Sequence, residues 1–379
     1  MGPLAGFTVI ELAGIGPCPM AGMLLADMGA QVIRVDREKL KPPRYGKDIS
    51  ARGKKSVVIN LKSQAGKAVF FALLKNAHAL LEGFRPGVME RLGIGPEDCL
   101  QTNPALVYGR MTGWGQEGPL AARAGHDINY IALTGALHAI GRRDSPPVPP
   151  LNLVGDFGGG AMFLLTGLLA ALLESQRSGL GQVVDAAMID GAANLMWMCH
   201  SFAPVNRWNA QRRESNLVDG GAFFYGCYET ADGKYIAIGA IERQFFAEFV
   251  EKAGLDPTIF SPQMQMDQSQ WPRLKNLLQQ HIKTKTQQQW CEIFTDSDAC
   301  VTPVLTFVEA PDHAHHQARQ TYQTIDGLVQ PAPAPRFSRT PTKIRHNQHS
   351  PGHDTDAILQ TLGYSEAEIQ QLYQDDVVA

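Results

Sequence analysis

The sequence predicts an α/β protein: a Rossmann-like parallel-sheet large domain plus a small α+β domain. Three observations carry this. Short apolar runs alternate with segments of helical spacing through the first half of the chain. Strand–helix–strand repeats of that kind build parallel sheets with helices on their faces. Past residue 221 the pattern changes to two alternating strands and then amphipathic helices.

In order along the chain, Phe7–Leu12 reads as an apolar strand, followed by a Gly/Pro-rich turn and a helix over Met20–Met28. Gly29 suits the end of that helix, where a left-handed residue is wanted. Ala30–Val35, Ser56–Leu61, Ala77–Glu82 and Leu106–Arg110 are further strands, with a helix at Ala65–Lys75. Ala161–Leu173 is an apolar helix. Ala222–Thr230 and Lys234–Ile241 flank Ala231-Asp232-Gly233, a hairpin turn by composition. Helices follow at Gln244–Ala253, Trp271–Lys283 and Gln287–Phe294. The alternating prolines of Gln330–Arg336 require an extended connector. Asp354–Leu362 and Ser365–Leu372 close the chain as two helices, the second capped by Ser365.

Composition narrows the function classes. Among 379 residues, 34 Lys+Arg stand against 37 Asp+Glu, a net charge of −3, with 44% hydrophobic residues. Nucleic-acid binders carry a basic excess and disordered chains lack that apolar content, so both are disfavoured. The six cysteines include no C-x-x-C pair, which suits reduced, packed thiols. The 13 residues of Ala161–Leu173 fall short of a bilayer span. No basic leader precedes the first strand and no retention signal ends the chain, so the expectation is a cytoplasmic protein.

Several motifs bear on chemistry. Gly14-Ile15-Gly16 imitates a dinucleotide fingerprint, but Pro19 replaces its third glycine. Gly53-Lys54-Lys55-Ser56 lacks the first glycine of a P-loop. Residues 34–62 carry ten bases against three acids, a local +7, in loops beyond strand ends. A polyanionic small molecule would fit there, although a charge run is more often a solvated face. Gly83-Phe84-Arg85-Pro86-Gly87 and Arg91 add cations to the same edge. His126 and Asp156 are acid–base candidates, and Glu242 past the strand Lys234–Ile241 is a third. By spacing alone Asp156 is an N-cap for the apolar helix, and His126 a loop histidine. The triple glycine 158–160 points instead to close backbone approach near Asp156. Met196, Trp197, Met198 and Phe223 are apolar and suit either an acyl pocket or ordinary core. The histidines at 313, 315 and 316 lack a convergent second cluster, so no metal is expected.

These residues together resemble the family III CoA-transferase (CaiB/BaiF) superfamily, and within it the branch that racemises 2-methylacyl-CoA thioesters. The likeness runs through Val9–Gly14, Leu24–Ala30, Thr112–Gln116, Ala124–Tyr130, Pro150–Phe157, Gly181–Ala186, Thr230–Gly233, Gly239–Glu242 and Asp298–Val304. It implies a large CoA-binding domain over 1–190, a linker 191–221, a small domain 222–308, a linker 309–336 and a returning segment 337–379. It further implies an interlocked homodimer with the active site formed between domains of opposite subunits. Catalytic His, Asp and Glu fall on His126, Asp156 and Glu242. The CoA-contacting segments fall on Arg37, Ile59, Asn60, Leu61, Lys62, Gly83, Phe84, Arg85, Arg91, Gly125, Asp127, Ile128, Asn129 and Tyr130. The implied reaction is 1,1-proton transfer through an enolate with no metal or redox cofactor, coenzyme A being part of the substrate. Two other readings stay open: CoA transfer with Asp156 as nucleophile, and a silent acyl-CoA-binding protein.

Overall fold

The computed structural model describes residues 2–37 and 47–379. Lys39, Lys41 and Arg44 of the basic run lie outside them. The chain divides into two compact units, one of Met1–Thr134, Leu151–Leu195 and Gln317–Ala379, the other of Gly135–Pro150 and Met196–His316.

The first unit is built on six parallel strands: β1 (Thr8–Leu12), β2 (Gln31–Asp36), β3 (Lys55–Val58), β4 (Ala79–Glu82), β5 (Val107–Thr112) and β6 (Val183–Ala187). Their order is β3-β2-β1-β4-β5-β6, the doubly wound arrangement. β1 pairs with β2 from Thr8↔Gln31 to Leu12↔Val35 and with β4 from Val9↔Ala79 to Glu11↔Leu81. The strands stay parallel, but the order in which they are added reverses between β1 and β4, which leaves a crevice beyond their carboxyl ends. β6 was assigned no element by the sequence pattern.

Strand alternation decides the two faces. Ile10, Leu12, Ile33 and Val35 point one way, against Phe70 and Leu74 of helix Gln64–Leu74 and Ile358 and Leu359 of the C-terminal region. Val9, Val32 and Leu81 point the other way, against Leu25 of helix Pro17–Asp27 and Leu164 and Leu168 of helix Met162–Ser178. The final helix, Glu366–Gln374, is capped by Ser365 as expected.

The apolar helix corrects two expectations. It runs on from a π-helical segment, Leu153–Ala161, into Met162–Ser178. Together they give 26 helical residues, long and apolar enough to cross a bilayer, where the sequence suggested 13. Leu164, Leu168 and Leu172 are nonetheless buried against the sheet, the packing of a core helix. Asp156 lies inside the π-helical segment, so it is not an N-cap.

The triple glycine does mark close approach, but to protein. A Cβ on Gly159 would stand 2.6 Å from Ala192 N, and one on Gly191 would strike Gly159 O. The π-helical segment and helix Met188–Leu195 therefore touch backbone to backbone. Gly159→Ala should cost about 1–3 kcal/mol by overpacking, read as a lower urea midpoint with unchanged m-value.

The second unit holds a three-stranded antiparallel sheet of β7 (Tyr225–Glu229), β8 (Tyr235–Gly239) and β9 (Val301–Pro303). The β7–β8 turn is the expected hairpin, with Gly233 at φ 74. Helices Arg243–Lys252, Trp271–Ile282 and Gln287–Ile293 cover it through Phe246, Phe249, Leu278 and Trp290, all fully buried. Phe223 belongs to this core and Trp197 is 67% exposed.

Candidate active site

The crevice at the reversal point opens into a cavity of about 510 Å³. Its walls come from the segments that leave the strands: Ile15–Cys18 after β1, Gly83–Pro86 after β4, and Thr112–Trp114 around the end of β5. Gly125, His126 and Tyr130 form another wall, and Asn152 and Asp156 of the apolar-helix region complete it. Each wall is local chain geometry. Gly16 takes φ 75 and stands close to Asp156, where an added Cβ would lie 3.5 Å from the carboxylate. Gly113 and Gly125 leave room for the Tyr130 ring, which meets Trp114 edge-on at 4.7 Å.

His126 precedes helix Asp127–Leu133 and is exposed. Its backbone N–H donates to the Asn129 carboxamide at 3.0 Å, which fixes the turn that presents the imidazole. Asp156 is half-buried, and its carboxylate accepts from Asn152 Nδ2 at 3.1 Å. Burial raises its carboxyl above the ordinary range; Asn152 pulls it down, Asp127 pushes it up and His126 pulls it down. A carboxylate displaced toward neutrality is a better proton acceptor than a free one. Asn152 was overlooked as a functional residue; its spacing of four from Asp156 was the available signal.

Asp127 is buried behind the cavity, and its Oδ2 accepts the Asp156 N–H at 2.7 Å. Cys18 also lines the cavity, with its thiol pushed well up by burial, so it is a neutral wall.

The predicted CoA-contacting residues divide. Gly83, Phe84, Arg85, Gly125 and Tyr130 line the cavity. Arg37 joins them through Phe84, its guanidinium lying 5.3 Å from the ring centre. Arg85 and Arg37 are exposed and stand beyond strand ends, as a polyanion would need. Ile128 and Asn129 lie on helix Asp127–Leu133 outside the walls, and Arg91 is exposed on helix Val88–Leu92. Ile59–Lys62 follows β3 and is occupied by the C-terminal tail: Asn60 N donates to Val377 O at 2.9 Å. Only Lys62 of that segment is exposed.

The basic run is not one solvated edge. Arg34 pairs with Asp36 at 2.8 Å, Arg52 with Asp27 at 2.6 Å, and Lys54 with Glu11 at 2.6 Å, all buried. Those three cations are spent on the fold and are unavailable to a ligand.

Glu242 belongs to the second unit, exposed at the start of helix Arg243–Lys252. The strand end before it is braced by Gln265 Nε2, which donates to Ala240 O at 3.1 Å and Ile241 O at 2.8 Å. Among the described residues, the metal-type donors that converge are His349, His353 and Asp354, not the 313–316 run. There His349 Nδ1 is already paired with the Asp354 carboxylate at 2.8 Å.

The model of CoA-transferase family III matches residues 4–356. Alpha-methylacyl-CoA racemase of Mus musculus is 45% identical over 99% of this chain and 97% of its own. The Homo sapiens protein of the same name is 43% identical over the same shares. The crystal structure of Rv3272 from Mycobacterium tuberculosis superposes with TM-score 0.77 at 26% identity, covering 94% of this chain and 99% of that one. A fold, a crevice and a full-length match in sequence agree: this chain belongs to CoA-transferase family III.

Proposed function

We propose that this protein is an isomerase that interconverts (2R)- and (2S)-2-methylacyl-CoA thioesters. The observation that carries this is the 45% identity, over nearly the whole chain, to a racemase of that name. The site suits the chemistry. Inversion at the α-carbon needs a base on one face and an acid on the other. His126 and Asp156 stand on the walls of one cavity and are of the right kind for both roles.

In the reaction, one of the pair removes the α-proton, leaving an enolate whose charge sits on the thioester oxygen. The other then delivers a proton to the opposite face. The Asp127 N–H, first in its helix and without an intrahelical acceptor, is the donor to the enolate oxygen. Arg37, Phe84 and Arg85 receive the coenzyme, cations meeting phosphate and the ring meeting the base. The protein works as an interlocked homodimer, in which Glu242 completes the site as the partner of His126.

The test is proton NMR of a single 2-methylacyl-CoA enantiomer in deuterated buffer without acceptor acid. Loss of the α-proton signal with appearance of the other epimer is the expected result. An α-proton that persists, with CoA appearing on an added carboxylic acid, would make the protein a transferase that uses Asp156 as nucleophile.

A further inference from the structure

Asp127 presents an anomaly next to the cavity. Its carboxylate is on a residue only 7% exposed, yet no cation pairs with it among the described residues. Oδ2 accepts the Asp156 N–H at 2.7 Å, while Oδ1 is buried with no hydrogen-bond partner. Burying a charge in this way is costly, so its retention calls for a return. Gly155 makes room for it: a Cβ there would lie 2.6 Å from Oδ2.

We infer that the Asp127 side chain is a positioning residue, which anchors the backbone of Asp156 and keeps its carboxylate a competent base. The inference rests on Asp156 being one of the two bases. Residue 127 follows His126 directly and holds Asp156 through one hydrogen bond, so it ties the two walls of the cavity together. Its backbone N–H serves the enolate oxygen, which makes it the common reference for oxyanion donor and base. The second contribution is electrostatic. A fixed negative charge behind Asp156 disfavours a second one, and so favours proton uptake by Asp156.

The titratable groups around Asp156 are His126, Asp127 and Tyr130 from the helix Asp127–Leu133 and its cap, Cys18 from helix Pro17–Asp27, Arg85 beyond β4, and Arg123 on the segment before His126. Helix Met188–Leu195 contributes Met188, which does not titrate. Asp127 is the carboxylate in that set whose charge acts on Asp156.

Asp127→Asn and Asp127→Ala separate the two contributions, with Asp156→Asn as reference. Asparagine keeps an oxygen for the Asp156 N–H but removes the charge. Its acid limb of kcat/KM, for the enantiomer whose proton Asp156 takes, should move to lower pH. Alanine also removes the acceptor, so kcat should fall about 10- to 100-fold with KM nearly unchanged, and asparagine should restore most of it. A limb that stays in place in Asp127→Asn overturns the electrostatic role. Equal loss of kcat in Asn and Ala variants, or no loss in either, overturns the anchoring role. If Asp156→Asn still exchanges on both faces, the base assignment itself falls, and the inference with it. The asparagine variant carries the test even if the alanine variant does not fold.

Discussion

Asp156→Asn should abolish epimerisation, lowering its rate by about 10²–10⁴-fold, while one enantiomer keeps exchanging its α-proton. Asparagine has the shape of aspartate and leaves the backbone N–H bonded to Asp127, but it takes up no proton. His126 remains on the cavity wall and can still remove a proton from the face it meets. With no acid opposite, the enolate is reprotonated from the same side after the imidazole has exchanged with solvent. Deuterium then enters one enantiomer with retention, and the other becomes inert. His126→Ala should give the mirror result, with exchange confined to the opposite enantiomer. If Asp156 were instead a nucleophile for CoA transfer, its replacement would leave deuterium incorporation alike for both. NMR for exchange, with chiral analysis of the product, reads both quantities in one sample.

How much of this was legible beforehand differs from element to element. The sheet was, because Phe7–Leu12, Ala30–Val35 and Ala77–Glu82 are apolar runs buried on both faces, which few other structures require. β6 was not: Val183–Ala187 is partly exposed over its first three residues and carries Asp185, so its composition resembles a loop. The region around Asp156 misled for a physical reason. Glycines within a helix look like a helix start, and an Asp before them like its cap, until the contact with helix Met188–Leu195 is seen. That contact depends on residues about 30 positions away. The same holds for the basic run. A charge sequence shows how many cations there are, not that Asp27 and Glu11, 25 and 43 residues distant from Arg52 and Lys54, neutralise two of them inside the core. His126, Asp156 and Glu242 stood out as acid–base candidates by residue type and position, and family resemblance alone gave them catalytic roles; the cavity brings the first two together, and Glu242 lies in the other unit.

Lys54→Met should destabilise the protein by about 3–5 kcal/mol at neutral pH, an effect that shrinks as the medium is acidified. Lys54 and Glu11 are each about 1% exposed at the side chain, and Nζ also donates to Pro19 O at 2.8 Å. The ammonium therefore ties β1 to the first turn of helix Pro17–Asp27, the turn that supplies Gly16 and Cys18 to the cavity. Burial already holds the Glu11 carboxyl above its usual range, even with Lys54 drawing it down. Methionine fills a similar volume but leaves that carboxylate unpaired, so the carboxyl rises further. A group whose folded value lies above its unfolded one contributes stability below the unfolded value, and loses it as pH rises through the folded value. The deficit relative to the unaltered protein is thus largest at neutral pH and falls toward about pH 4.3, where unfolded glutamate titrates. Urea melts across that range read it directly, and a deficit independent of pH would show that packing, not charge, is what Lys54 supplies. Pairing the change with Glu11→Leu should recover most of the stability, because the cost lies in the stranded carboxylate rather than in the lost ion pair. Activity should recover less than stability, since an apolar pair no longer holds Pro19 O and the Gly16 turn keeps its new freedom beside Asp156.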